Sequence, residues 1–502
     1  MTPSAARVSD GDGDTYDEWR LDINVNQALV MDLTEIFFEV IYPVFPFFHR
    51  PSLLRKVARG EHLTNRPLGA CVMAITALAS ARVRDNALGS NAYDLASLQD
   101  PCSERLFDAA ERAMPRDAPL TQSFDYMRAS VILAIAAIQY GKPSLMNHYL
   151  GIYHTFVAVG ALHDEANWPR NLTAIELEER RRLFWSTYTL DIFTSVVWAG
   201  VARSREASSS VCYPQKGDFD LDCENTHSTA ALNHHPHWLQ GWNFVTDLYR
   251  ILEHAVDNLR RLRTPVRRTP VVQALFEDNM VSQFAVLDQI MAMYDELPDI
   301  FKTTKQPTAN LNENLFSFQA ANIAATIQLV RMVYFANSHS TLEQKCLVAG
   351  EVIAGFASVP VAYLRAISSP LLHHLAEIGS ILGAAFEDGM TRATYHSVRS
   401  VLLDLAKLLA DLEVYLFCPP GASKKLHTQV SRIDQFMNAE LQLHTSRPVD
   451  VAIEGQAGPA ARGPAISAGQ ALLPVPTADY SSPQYHFPPE LLEDWTWALD
   501  FA

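Results

Sequence analysis

Apolar and polar positions recur along most of this chain with the period of a helix rather than that of a strand. The clearest case is Thr173 to Gly200, TAIELEERRRLFWSTYTLDIFTSVVWAG. Thr173 stands three residues before Glu176, the spacing of a capping box, in which hydroxyl and carboxylate each satisfy an orphan N–H at a helix start. Glu176 with Arg180, and Glu178 with Arg182, stand at i,i+4 with glutamate on the N-terminal side, so the first two turns are expected to face water. From Leu183 the polarity collapses. Phe184, Tyr188 and Ile192 form one apolar row, while Trp185, Val196, Val197 and Trp198 cover much of the remaining circumference, as in a helix surrounded by protein. Asp191 falls inside that apolar half. An unpaired carboxylate there would be costly, so an arginine, hydroxyl or capping partner is expected from another segment.

The same period predicts helices at about 28–40, 68–84, 101–114, 121–140 and 144–161 before this central one. After it, helices are predicted at about 239–262, 271–296, 311–337, 341–357, 371–386, 391–416 and 424–443. Breakers such as Pro115, Pro119, Gly141 and Pro143 separate the earlier ones. Tyr42 to Leu54, YPVFPFFHRPSLL, interrupts the pattern. Pro43, Pro46 and Pro51 exclude a continuous helix and Phe45, Phe47 and Phe48 need burial, so an irregular segment pressed onto helices is expected. Residues 200–238 read as loop, and alternating β-branched runs bounded by turns are missing. The expected fold is all-α, a large multi-helix body at 26–445 between a disordered N-terminal leader and a C-terminal tail.

That leader, residues 1–25, holds Asp10, Asp12, Asp14, Asp17 and Glu18, with too few apolar groups to offset the entropy of ordering. Residues 446–489 have the Pro, Gly, Ala and Ser composition of a linker. Residues 490–502 mix acidic groups with Leu491, Leu492, Trp495, Trp497, Leu499 and Phe501. Acidic-aromatic segments of this kind suit coupled folding onto a hydrophobic groove, the mode of many transcriptional activation segments. The alternative is a terminal helix docked on its own core.

Composition narrows the function classes. The 502 residues suffice for two or three domains or for one helical body with tails, and 48% hydrophobic with 19% charged residues describes a globular protein. With 56 acidic against 40 basic residues, a net charge of -16, the chain is a poor binder of a phosphate backbone by itself. Its 6 cysteines are scattered without a CxxC pair, which points to reduced thiols inside a cell. The N-terminus has no secretory pattern, and the longest apolar run, Val131 to Ile138, is far short of the ~20 residues that span a bilayer.

Candidate chemistry is sparse. His234, His235 and His237 in NHHPHW lack helical i,i+4 geometry or nearby cysteines, so they read as loop histidines rather than zinc ligands. Asp218, Asp220 and Asp222 alternate as in a calcium loop, but its sixth and twelfth positions hold Cys223 and Thr229 instead of glycine and glutamate. No HExxH, GxSxG or phosphate-cradling glycine loop is present. No residue is assigned to catalysis, to a cofactor or to a metal. Arg260, Arg261, Arg263, Arg267 and Arg268 in LRRLRTPVRRTP read either as a nuclear import signal or as cations at a helix C-terminus. The competing reading is a helical ligand-binding protein or metal-dependent enzyme of a biosynthetic pathway, which predicts a deep pocket with convergent acidic residues.

Four stretches taken together resemble the middle homology region of fungal zinc-cluster transcription factors. The first is YPVFPFFHRPSLL with Pro46, His49 and Pro51. The second is Gly160-Ala161-Leu162-His163. The third runs from Glu178 through Arg180, Arg181, Arg182 and Trp185 to Tyr188 and Asp191, and the fourth is Cys212-Tyr213-Pro214 with the aspartates that follow. The resemblance covers roughly residues 30 to 415. It implies a helical regulatory domain, nuclear location and control of RNA polymerase II transcription for a particular pathway or gene cluster, without catalysis. The implied partners are the transcription machinery or a coactivator through the C-terminal segment, a second subunit in a homo- or heterodimer, and a small-molecule inducer, with no membrane. Two departures stand out. Gly200-Val201-Ala202-Arg203 replaces the family's Gly-Arg-Pro. The six-cysteine zinc cluster that reads DNA in that family is not among these residues, so zinc is expected only for that module, and DNA contact only through it or through a partner.

Overall fold

A computed structural model of the chain describes residues 19–21, 23–88, 93–198, 200–215, 236–263, 283–308, 310–337, 341–367, 390–414, 421–445 and 484–485, with 375, 379, 382 and 416 as isolated positions. Among them, fifteen helices make nearly all the regular structure. Helix α1, Gln27–Ile36, is capped by the Asn26 side chain and widens into a π-helical turn at Phe37–Ile41. α2 is Arg50–Ala58 and α3 is Arg66–Arg84. α4, Ser103–Ala113, and the short α5, Ala118–Thr121, precede α6, Phe124–Gln139, and α7, Pro143–Gly160. α8, Ala174–Val197, is the central helix, followed by α9, Trp238–Arg263, and α10, Gln283–Asp295. α11 is Leu311–Asn337, α12 Leu342–Ala357, α13 Val361–Ile367, α14 Arg392–Glu413 and α15 Ala422–Thr445.

The helices share a continuous core. α3 meets α1, α4 and α6, α6 meets α7, and α8 meets α9. α9 lies along α11, α11 packs on α12, α12 on α14, and α14 on α15. α3 and α6 are covered on all sides, which is why Ala70 to Ala79 and Ala129 to Ala137 carry small and apolar residues with almost no polar face. The closeness of α9 and α11 depends on Gly241, where a Cβ would lie 2.7 Å from the Phe301 ring and 2.9 Å from Gln319 Cβ.

Three expectations need correction. YPVFPFFHRPSLL is irregular only to His49, because Pro51 falls in the first turn of α2, where a missing N–H costs nothing. In the stretch read as leader, Trp19, Leu21, Ile23 and Val25 pack against the core, with the Trp19 ring over Gly69, so a Cβ there would meet it at 2.6 Å. Apolar groups at every second position make this an extended strap, a pattern masked by the aspartates before it. In the stretch read as linker, Gln484–Tyr485 pair antiparallel with Met390–Thr391.

The rest of the leader, residues 446–483 and 486–502 of the tail with every candidate activation residue, the aspartates at 218–222, His234 and His235 all lie outside the described residues. So do residues 271–282 and most of 371–386. Among the described residues no helix is long and apolar enough to cross a membrane.

Candidate functional hub

The residues singled out in the sequence converge on α8. Thr173 Oγ1 accepts from the Glu176 N–H at 3.2 Å and Glu176 Oε2 accepts from the Thr173 N–H at 2.8 Å, a full capping box. The next two turns do not face water as a pair of i,i+4 bridges. Glu179 and Arg182 are buried, and the turns are gripped by other segments. The i,i+4 rule describes an isolated helix surface, and here neighbouring loops occupy that surface.

Glu179 ties α8 to the first motif. Its carboxylate accepts from the His49 N–H at 2.8 Å and pairs with Arg128 of α6. Arg128 lies over the Phe48 ring at 4.7 Å and over Phe124 at 4.0 Å, with Arg180 on Phe124 at 4.4 Å. Burial works against the Arg128 charge, but Glu179 and Asp125 outweigh it and hold its pKa above the ordinary value. Pro46 and Pro51 bracket these rings in the chain. Arg182, fully buried, donates to the Tyr42 hydroxyl at 3.0 Å. The carbonyls that the prolines leave outside any helix ladder are met as well: Gln319 Nε2 donates to Pro43 O at 2.7 Å and Trp242 Nε1 to Val44 O at 3.0 Å.

The second and fourth motifs meet beside Glu178, Arg181 and Trp185 of α8. Ala161 closes α7 with a left-handed φ of +46°, Trp168 Nε1 donates to Leu162 O at 3.0 Å, and the His163 carbonyl accepts from the Ser210 N–H at 2.9 Å. Arg181 grips Glu165 through Nε at 2.8 Å and Nη2 at 3.0 Å, and Glu178 at 3.1 Å. The Glu165 hydrogen bonds hold the Arg181 guanidinium well above its ordinary pKa. Burial alone would raise the Glu165 carboxyl, but Arg181 and the Cys212 N–H, at 2.8 Å, bring it below the ordinary value. Glu178 accepts from the Gln215 N–H at 3.0 Å, and Pro214 O accepts from Asn243 of α9 at 3.2 Å.

Trp185 donates to Cys212 O at 3.0 Å and packs edge-on against Tyr213, centroids 4.8 Å apart. Tyr188 donates to Glu253 of α9 at 2.6 Å; burial and that carboxylate push its phenol far above the ordinary value. The same Glu253 accepts from the Glu206 N–H at 3.1 Å and meets Arg205 at 3.3 Å. Arg250 joins Glu206, the Tyr213 hydroxyl at 3.0 Å and Asp247 at 3.3 Å.

Asp191, wholly buried, latches the loop that leaves α8. The N–H groups of Arg203 and Ser204 donate to its Oδ2 at 2.6 and 2.7 Å, His154 Nε2 stands 3.5 Å from Oδ1, and the Arg203 guanidinium 3.8 Å from it. The backbone supplies the main partners, with arginine secondary. Arg260 donates to Ser195 O at 2.7 Å and to Gly200 O, so this member of the basic run serves the C-terminus of α8. The side chains of Arg261 and Arg263, and residues Arg267 and Arg268, lie outside the described residues. His237 accepts from the Leu239 N–H at 3.2 Å at the start of α9.

Sequence reasoning did not assign Arg128, Glu165, Glu253 or Arg250. Arg128 carried the signal used for Asp191, a lone charge in an apolar helix; Glu253, in a more polar helix, did not stand out. Among the described residues no group of three or more histidines, cysteines or carboxylates is arranged to hold a metal. The hub is a set of interlocked ion pairs and hydrogen bonds that fixes how segments cross α8.

Comparison with known proteins places this hub. Residues 34–279 match the profile of the fungal specific transcription factor domain. "Activator of stress genes 1" of Saccharomyces cerevisiae is 22% identical over 257 residues, 48% of this chain and 25% of that protein. A "Putative transcriptional regulatory protein" of the same yeast is 27% identical over 135 residues, 26% of this chain and 16% of that protein. The chain thus spans a quarter or less of the length of these relatives.

Proposed function

We propose that the protein is a nuclear regulator of RNA polymerase II transcription, specific to one pathway or gene cluster, because residues 34–279 match the profile of the fungal specific transcription factor domain. The observation that supports this reading is the convergence of the motif residues on α8, where Glu179, Arg181, Trp185, Tyr188 and Asp191 tie the helix to neighbouring segments. On this reading the helical body senses an inducer or a second subunit, and Leu491 to Phe501 recruit a coactivator or the transcription machinery. Contact with DNA comes through a zinc-cluster module or a partner, since a chain of net charge -16 is a poor binder of a phosphate backbone by itself. No catalytic role is proposed.

The test is a fusion of the whole chain to a heterologous DNA-binding domain in a fungal reporter strain. Activation is expected, with a loss of several-fold when Trp495 and Trp497 are both replaced by alanine, because aromatic anchors dominate groove binding. A well-expressed fusion with no activity removes the activator reading.

A further inference from the structure

Between the π-helical turn, α6, α8 and α9 lies a cavity of about 90 Å³. Val40, Ile41, Ile135, Ile138, Phe193 and Trp242 supply much of its wall. At roughly 10–15 Å³ for each water-sized sphere it holds on the order of six to nine, the size of a small organic molecule. Apolar space of this kind stays dry and takes up molecules such as benzene, because the wall atoms then gain the dispersion contacts that a packed core would give them. The backbone departs from α geometry at its border, where Val40 and Ile41 belong to the π-helical turn, a feature common at binding sites. Val44, Phe45, Thr189 and Asn322 of the lining are half-buried, so part of the wall belongs to the surface and a molecule has a way in.

The polar groups of the wall define the ligand. The Thr189 hydroxyl donates to Ser186 O at 2.9 Å and the Thr246 hydroxyl to Trp242 O at 3.2 Å. Tyr249 pairs with Thr326, and Arg82 is engaged within the protein, its charge supported by Asp85. A carboxylate or an ammonium entering here would lose its hydration and find no uncommitted counter-charge in the lining. Asn322 of α11 is different. Among the described residues its side-chain amide meets no hydrogen-bonding partner, whereas its main-chain carbonyl accepts from Thr326 at 2.8 Å. An amide offers both donors and an acceptor, so it serves a hydroxyl or a carbonyl equally.

We propose that this cavity binds a small uncharged molecule, with an apolar body of about six to ten non-hydrogen atoms between α6, α8 and α9 and one hydroxyl or carbonyl oxygen on the Asn322 amide. The proposal deepens the reading of the helical body as the inducer-sensing part and rests on it for its regulatory meaning. α8 carries the response. Thr189, Leu190 and Phe193 line the cavity, while Asp191 among them holds the Arg203–Ser204 loop, so filling the cavity bears on the helix that latches that loop.

Benzyl alcohol is the probe, with toluene as the control that lacks the oxygen and benzoate as the charged one, each titrated into the purified full chain and read by calorimetry and melting temperature. Benzyl alcohol and toluene are expected to bind saturably at one site and raise the melting temperature, with benzoate at least about tenfold weaker than benzyl alcohol. Asn322→Leu should weaken benzyl alcohol by about threefold or more without weakening toluene. Val245→Phe, which fills the cavity and keeps Asn322, should abolish binding of both; should that variant not fold, Val44→Phe fills it from the half-buried part of the wall. Benzoate binding as tightly as the alcohol, absence of saturable binding, benzyl alcohol affinity unchanged in Asn322→Leu, or affinity unchanged in a folded filling variant overturns the site. Saturable binding in a chain whose fusion fails the reporter test upholds the site and removes the activator reading; reporter activity without binding removes the site alone.

Discussion

A single carboxylate shows how much one position governs. Asp191 joins the end of α8 to the loop beyond it through two backbone N–H groups, so its removal takes the acceptor from both partly buried donors and the nearby carboxylate from the Arg203 guanidinium. Asp191→Ala should destabilise the chain by about 3 kcal/mol in urea unfolding, and Asp191→Asn, which keeps an acceptor, by less. A wild-type midpoint for the alanine variant would show that the latch contributes nothing. The need for a partner was legible in the sequence, because a lone charge inside an apolar run demands one. The partner's identity was not, since the donors are main-chain groups of Gly200-Val201-Ala202-Arg203-Ser204, which any residues but proline supply. Arg182 failed differently: its spacing from Glu178 suggested a solvent pair, whereas Tyr42, 140 positions away, and Trp238 close over it.

At the scale of the element, the two halves of α8 should respond unequally. Thr173 caps an exposed end, and Thr173→Ala should cost about 1 kcal/mol. Trp185 fills the space between α8 and the loop at Cys212 and Tyr213, and Trp185→Ala should cost about 3–5 kcal/mol. Chemical unfolding of both variants checks the order; equal losses would mean that α8 acts as an independent helix rather than a hub. Long periodic helices such as α11 were legible to the residue, because nothing in Leu311 to Asn337 competes with the 3.6-residue period. α2 was hidden by Pro51, which reads as a breaker unless its place in the first turn is known. The π-helical turn at Phe37–Ile41 was invisible, since widening a helix by one residue changes hydrogen bonds and leaves composition alone.

For the whole molecule, the ion pairs set a pH window. Glu104, Glu165, Glu176, Glu206 and Asp434 titrate below their ordinary values of 4.5 and 3.8, so as pH falls the unfolded chain takes up protons first and stability is lost through the acidic side. Tyr140, Tyr153, Tyr188, Tyr213 and Tyr249 are pushed above 10.0, so the stability they hold is present below that pH and lost as pH rises beyond it. His62, drawn below 6.5 by burial, adds a loss that begins as pH falls past that value, so the urea midpoint should be level between about pH 7 and 9 and fall on both flanks; a midpoint still rising below pH 5 would contradict the depressed carboxylates. The clasp has a consequence at this scale too. Tyr485 pairs with Met390 at the start of α14, and α15 packs along α14, so this helix is anchored by two stretches well apart in sequence and its local unfolding has to release both.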